Sequence, residues 1–261
     1  MEVKLQKEYL KRIDTALRIA GGIARDYAPG TFQVSDQGGR NVVTEVDRRV
    51  SEVLRIELLR DGEGWLSEED VDDESRLSRE FVWIVDPLDG TREFVDGLPE
   101  WCISIGLVEN GQPVAGGTFN PAANEIVLGA IGTGVTYNHQ PARPTTRTEL
   151  DGAVVLASRS EWKRGEWSQF ETAPFTVKPL GSVAYKLSLV AGGIADATWT
   201  LSPKHEWDVA AGIALIRSAG GRVETTDGAP LRLNQKKTLL PGLIASGNAL
   251  WPAIESLLCT K

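Results

Sequence analysis

The chain has 261 residues, 41% of them apolar, and carries 36 acidic against 28 basic side chains for a net charge of −8. That balance argues against a nucleic-acid polymer as partner, since such binding relies on Lys and Arg neutralising phosphates. No run approaches the ~20 apolar residues of a membrane span, two histidines leave little for a zinc site or a His-based triad, and Cys102 and Cys259 form no metal-type spacing.

Mixed charges through "MEVKLQKEYLKRIDTALRIAGG" do not read as a signal peptide, so a cytoplasmic setting is expected. Leu5, Tyr9, Ile13, Leu17, Ala20, Ala24 and Tyr27 recur at three and four residues, which predicts an amphipathic helix ending at Pro29-Gly30. Phe32 to Val43 predicts a short hairpin with its tip at Gln37-Gly38-Gly39. A second helix is expected from near Thr44 through Val46, Val50, Val53, Leu54 and Leu58 to Asp61-Gly62. Strand signals follow at Phe81 to Val85, Ile103 to Val108, Val114 to Phe119 and Ile126 to Ala130, with Asn110-Gly111 as a hairpin turn. Residues 138–150, "NHQPARPTTRTEL", read as a connection.

Strands and helices alternate from there. Strands are expected at Ala153 to Ala157, Thr176 to Leu180, Ile194 to Trp199, Arg222 to Thr225 and Leu243 to Ser246. Helices are expected at Glu161 to Glu171, Ser182 to Ala191 and Val209 to Ser218, with one more closing the chain. This order predicts α+β followed by α/β, divided near residue 150 into an N-terminal metal-binding part, 1–150, and a substrate-binding part, 151–261.

Acidic residues stand where elements begin or end. Asp47 lies in the first turn of a helix in "VVTEVD", and Glu68 and Glu69 follow a short strand in "WLSEED". Asp86 and Asp89 end a hydrophobic strand in "IVDPLDGTREF", and Asp208 opens a helix in "HEWDVAAG". Taken singly, each also fits a helix cap or a solvated acid. Asp86 is harder to dismiss, because it leaves a run of Phe, Val, Trp, Ile and Val at the strand end where sites gather in layered α/β folds. Together the acids suggest a hard-metal site. Glu68, Asp86, Asp89 and Asp208 would balance two Mg²⁺ ions. The Asp-Pro-Leu-Asp turn can present both carboxylates and the Leu88 carbonyl, and the amides of Gly90 and Thr91 at a helix start suit a phosphate.

"WIVDPLDGTREF" resembles the D-P-x-D-G-T signature of the inositol monophosphatase superfamily, and "EWDVAAGIALIRSAGG" resembles its W-D-x-A-A-G signature. "SEED" and "VVTEVD" match two further motifs, all four in family order. The resemblance implies a layered αβαβα sandwich and a Mg²⁺-dependent, lithium-sensitive phosphomonoesterase with two or three ions per site. It implies Glu68, Asp86, Asp89, Asp208 and the Leu88 carbonyl as metal ligands, with Glu69 behind them. Thr91 paired with Asp47 would orient and deprotonate the attacking water, with Glu68 beside them. It also implies a lid around Gln37 to Arg40, and family members include both monomers and homodimers.

"GTREF", "ASRSE", "PLGSVAYK" and "PLRLNQ" resemble the 3'(2'),5'-bisphosphate nucleotidase branch, the CysQ type. On that resemblance Ser158, Arg159, Ser160, Gly181 and Lys186, with Gly90 and Thr91, would bind a small anionic phosphate ester. Arg159 and Lys186 would serve its second phosphate, with Lys204 and His205 as weaker candidates. Inositol-1-monophosphatase or a related sugar phosphatase is the alternative, although "TLSPKHEWD" lacks the acid that inositol phosphatases carry several residues before Trp-Asp. A non-catalytic phospholigand or metal sensor is the reading from another class.

Overall fold

The computed structural model describes residues 3–27, 34–37 and 41–259, with side-chain surroundings for 6–27 and 45–258. The chain opens with α1 (Val3–Arg25), the antiparallel hairpin β1 (Val34–Gln37) and β2 (Asn41–Thr44), and α2 (Glu45–Leu58). The Pro29-Gly30 stop and residues 38–40 of the expected lid lie outside the described residues.

A seven-stranded sheet follows, ordered as in the chain: β3 (Gly64–Ser67), β4 (Phe81–Asp89), β5 (Cys102–Glu109), β6 (Gln112–Asn120), β7 (Glu125–Ala130), β8 (Gly134–Tyr137) and β9 (Gln140–Ala142). Only β3 and β4 are parallel; every other neighbouring pair is antiparallel. Asn110 and Gly111, at φ 50° and 80°, make the expected two-residue turn. The connection expected over 138–150 holds β9, because residues 140–142 pair back onto β8 across a turn at Asn138 and His139, both at positive φ. The short helix α3 (Thr91–Val95) interrupts the sheet after β4.

The second half supplies β10 (Val154–Ser158), α4 (Arg159–Lys163), β11 (Thr176–Leu180), α5 (Val183–Ala191) and β12 (Ala197–Trp199). It continues with β13 (Lys204–His205), α6 (Glu206–Ser218), β14 (Gly221–Thr225), β15 (Leu239–Leu240), β16 (Leu243–Gly247) and α7 (Trp251–Cys259). Five of these strands form a mixed sheet in the order β11-β10-β12-β16-β14. The helix expected over Glu161 to Glu171 is instead α4 and a separate 3₁₀ turn at Ser168–Phe170, broken at Gly165, whose φ is +76°.

The layers follow from which face each strand residue buries. Along β4, Val82 and Ile84 pack toward α5 and α6, while Trp83 and Val85 pack toward α1 and α2. Burial on both faces is why this strand reads as an unbroken apolar run. The α5–α6 layer is shared with Leu156, Val223 and Ala245 of the second sheet, whose other face covers Trp167, Phe170, Leu250 and Ile254. The result is an αβαβα sandwich.

Candidate active site

The site forms where β4 leaves the sheet. Its pairing with β5 is regular through Asp86↔Ser104 and then shifts before Asp89↔Cys102. Pro87 lies in that interval and has no amide for the ladder. The amide of Leu88 donates to Asp86 Oδ1 at 2.9 Å, which folds the turn over the aspartate. Asp89 then accepts from Ser182 Oγ at 2.7 Å and the Ala184 amide at 2.6 Å, both at the start of α5. Asp208, in the first turn of α6, accepts from the His205 amide at 2.9 Å. Three elements thus bring carboxylate oxygens of Asp86, Asp89 and Asp208 within 4.8 Å of one another. Glu68 follows β3 and lines the same cleft but stands outside that tight group.

Electrostatics shows how strongly these carboxylates crowd one another. Burial, followed by the charges of Asp208, Glu69, Asp89 and Asp47, pushes the Glu68 carboxyl up to about 8. Burial and then Asp89 push Asp208 up to about 7. Burial, with Glu68 next, raises Asp86, and burial raises Asp89 despite its two donors. Glu69 is raised to about 7 by burial and then Asp47. Carboxylates shifted upward together need positive charge among them to ionise together. An all-oxygen donor set on separate elements suits a hard divalent ion.

Thr91 and Asp47 are also together. Thr91 Oγ1 lies 3.0 Å from the Leu88 carbonyl and 3.4 Å from Asp47 Oδ1, so its single proton serves one acceptor at a time. Asp47 is only 3% exposed.

A cleft of about 290 Å³ collects Glu68, Asp86, Leu88, Asp89, Gly90, Thr91, Ser158, Arg159, Ser160, Gly181, Lys186 and Asp208; Asp47 reaches it through Thr91. Its wall is more heavily paired than the sequence suggests. Arg159 bonds Glu100 and lies 3.7 Å from Glu93. A Cβ on Gly181 would fall 2.4 Å from the Glu93 carboxyl carbon, so a close approach requires this glycine. Ser158 caps α4 and lies 3.0 Å from Ser160 Oγ. Lys186 directs its ammonium to the carbonyls of Leu180, Gly181 and Ser182 at 3.3, 3.1 and 2.7 Å. Lys204 also lines the cleft, 3.3 Å from Glu161, whereas His205 stacks on Trp207 at 4.4 Å and is not part of the lining.

The model of the inositol monophosphatase family matches residues 5–260. The chain belongs to this family. It is 34% identical over 248 residues to an inositol-1-monophosphatase of Mesorhizobium japonicum, covering 90% of each chain. It is 31% identical over 268 residues to the Nus factor SuhB of Xylella fastidiosa, covering 97% of this chain and 96% of that one. Among solved structures, CysQ from Bacteroides thetaiotaomicron superposes with a TM-score of 0.79 at 28% identity, over 94% of this chain and 99% of that one. Membership makes the protein a metal-dependent phosphatase that hydrolyses phosphate monoesters.

Sequence reasoning missed several residues that shape this family member's cleft. Glu93 and Glu100 hold Arg159, and Ser182 holds Asp89. Glu161 is fully buried and accepts from Trp167, the amides of Leu201 and Ser202, the Ser202 hydroxyl and Lys204. Its signal was the Ser158-x-x-Glu161 spacing of a capping box. Glu93 stands inside "GTREF", but neither it nor Glu100 signalled a pairing with Arg159, because that partner is brought in from a distant strand end. No helix among the described residues is long and apolar enough to cross a membrane.

Proposed function

We propose that the protein is a Mg²⁺-dependent phosphomonoesterase acting on a small polyol monophosphate of the inositol-1-phosphate class. The observation that carries the reading is the convergence of Asp86, Asp89 and Asp208 in a cleft that also holds Glu68 and the Thr91–Asp47 pair. Those three aspartates, with Glu68 and the Leu88 carbonyl, would hold Mg²⁺, which when bound neutralises the phosphate and lowers the pKa of water.

The chain's own residues do the rest. Thr91 donates its proton to Asp47, leaving its oxygen lone pair free to accept from the attacking water and aim it. As the water gives its proton to the Thr91 oxygen, the Thr91 hydroxyl proton passes to the carboxylate of Asp47, buried behind it, which ends the step protonated. Gly90 and Thr91, at the start of α3, line the cleft where the phosphate would lie. Glu93 lines the cleft and would supply an acceptor for a substrate hydroxyl, Gly181 packs closely against it, and Glu100 stands behind them, bonded to Arg159 and the Gly181 amide.

Charge favours a single phosphate. Arg159 lies between two carboxylates, Lys186 is bonded to three carbonyls and Lys204 lies against Glu161, so the cations named for a second phosphate already have partners. The 3'(2'),5'-bisphosphate nucleotidase reading keeps one specific support: Ser158, Arg159 and Ser160 do line the cleft, in a fold similar to that of CysQ.

The test is phosphate release with Mg²⁺ from inositol 1-phosphate and from 3'-phosphoadenosine 5'-phosphate, each with and without Li⁺. A higher kcat/KM for inositol phosphate, inhibited by Li⁺, is the expected result. Preference for the nucleotide would move the assignment to the second reading and require Arg159 to leave its carboxylates. Hydrolysis of neither would refute both substrates.

A further inference from the structure

Lys186 is 1% exposed, and its ammonium spends its three protons on three successive backbone carbonyls. Those carbonyls, of Leu180, Gly181 and Ser182, line the turn between β11 and α5. The turn is strained: Ser182 stands at φ 49° and ψ 122°, a conformation that side-chain-bearing residues keep only when their surroundings impose it. The same Ser182 donates through its hydroxyl to Asp89 Oδ2 and accepts from the Tyr185 amide at 3.0 Å. The Ala184 amide donates to the same Asp89 oxygen. The shape of one turn therefore fixes both donors that orient one carboxylate of the cluster.

We propose that Lys186 is a positioning residue for the metal cluster: bonded to the turn at 180–182, it holds Ser182 and Ala184 against Asp89 and does not contact the substrate phosphate. The inference rests on the metal-site reading above. It makes a claim whose sign can be measured. As a bare charge near Asp89, Lys186 repels a cation, so removing it would tighten metal binding. As the support of the turn, its removal loosens Asp89 and weakens metal binding. Outer partners of metal ligands contribute on the order of 10–100-fold in affinity, the scale expected here.

Mn²⁺ binding to the full chain would be measured by titration calorimetry for the unaltered protein, Lys186→Gln, Lys186→Met and Asp89→Asn, with thermal melts alongside. Both lysine variants are expected to bind Mn²⁺ about 10–100-fold more weakly, with little change in KM for the phosphate ester at saturating metal. Unchanged or tighter Mn²⁺ binding overturns the proposal, as does a raised KM with unaltered Mn²⁺ affinity, which would make Lys186 a substrate ligand. Ser182→Ala covers the case in which the lysine variants fail to fold. It leaves the carbonyl cradle intact and removes one contact through which Lys186 acts, so it too is expected to weaken Mn²⁺ binding; unaltered affinity overturns the proposal. Asp89→Asn separates the two levels: if it leaves Mn²⁺ affinity intact, the metal-site reading itself has failed.

Discussion

Asp47 and the carboxylates around it differ in what their loss should do. Asp47→Asn keeps the volume and an acceptor oxygen behind Thr91 but removes the negative charge. Loss of general-base assistance costs about 10²–10⁴-fold, so kcat is expected to fall by that order while Mn²⁺ affinity stays near that of the unaltered protein. A parallel loss of affinity in a metal titration would make Asp47 a ligand. Glu68 and Asp208 yield a pH prediction. Their folded values of about 8 and about 7 lie above their ordinary values of 4.5 and 3.8, so the folded chain binds more protons than the unfolded one across that window. Stability then falls as pH rises from the ordinary to the folded values, and it recovers as pH falls back through the folded values. Without metal, the melting temperature is expected to be lower at about pH 8 than at about pH 5.5, and Mg²⁺ should raise it more at the higher pH, because binding there displaces fewer protons. Equal melting temperatures at the two pH values without metal would show that these carboxyls are not shifted.

At the scale of elements, the loop before α6 depends on one buried acid. Glu161 Oε1 accepts from the Ser202 amide at 3.1 Å and its hydroxyl at 2.6 Å, while Oε2 accepts from Trp167 and the Leu201 amide, each at 3.1 Å. These donors hold its carboxyl below the usual range in spite of burial. In Glu161→Gln the side-chain NH₂ would face backbone donors, leaving groups unsatisfied at about 1–3 kcal/mol. Denaturant unfolding should register that loss, and KM should rise as the Lys204 side of the cleft loosens. Stability equal to that of the unaltered protein would show that the loop is held elsewhere. The same region shows why one helix was misread. Trp167 and Phe170 stand three apart as on one helix face, but Gly165 adopts a left-handed φ, and Glu161 bonds to a loop some 40 residues later in the chain instead of staying on a helix face. Sequence periodicity carries no information about that partner. β4 was legible, by contrast, because burial on both faces leaves an unbroken apolar run and Asp-Pro ends it.

Across the whole molecule, the cleft depends on how closely α6 lies on the seven-stranded sheet. Gly106 and Gly116 face each other across β5 and β6. A Cβ on Gly106 would fall 2.7 Å from the Ala210 Cβ, and one on Gly116 would fall 2.7 Å from the Ala211 carbonyl oxygen. On the other side of α6, a Cβ on Gly212 would fall 2.4 Å from the Leu187 Cβ of α5. In "WDVAAG", then, Asp208 reaches the cluster with Asp86 and Asp89, while Ala210, Ala211 and Gly212 let one helix lie flat between a sheet and its neighbour. The motif was legible as a string, but this division of labour was not, because Gly106 and Gly116 lie about 100 residues away in the chain. The packing predicts coupling between core and site. Gly116→Val would drive a branched side chain into the α6 backbone, at about 1–3 kcal/mol for overpacking, and displace Asp208, less than one turn from Ala211. The variant should melt lower, and Mg²⁺ should raise its melting temperature by less than it raises that of the unaltered protein, because stabilisation by a ligand follows the ratio of its concentration to Kd. A lowered melting temperature with an undiminished Mg²⁺ increment would mean that Asp208 is held by the His205 amide and its own turn, independent of the sheet beneath it.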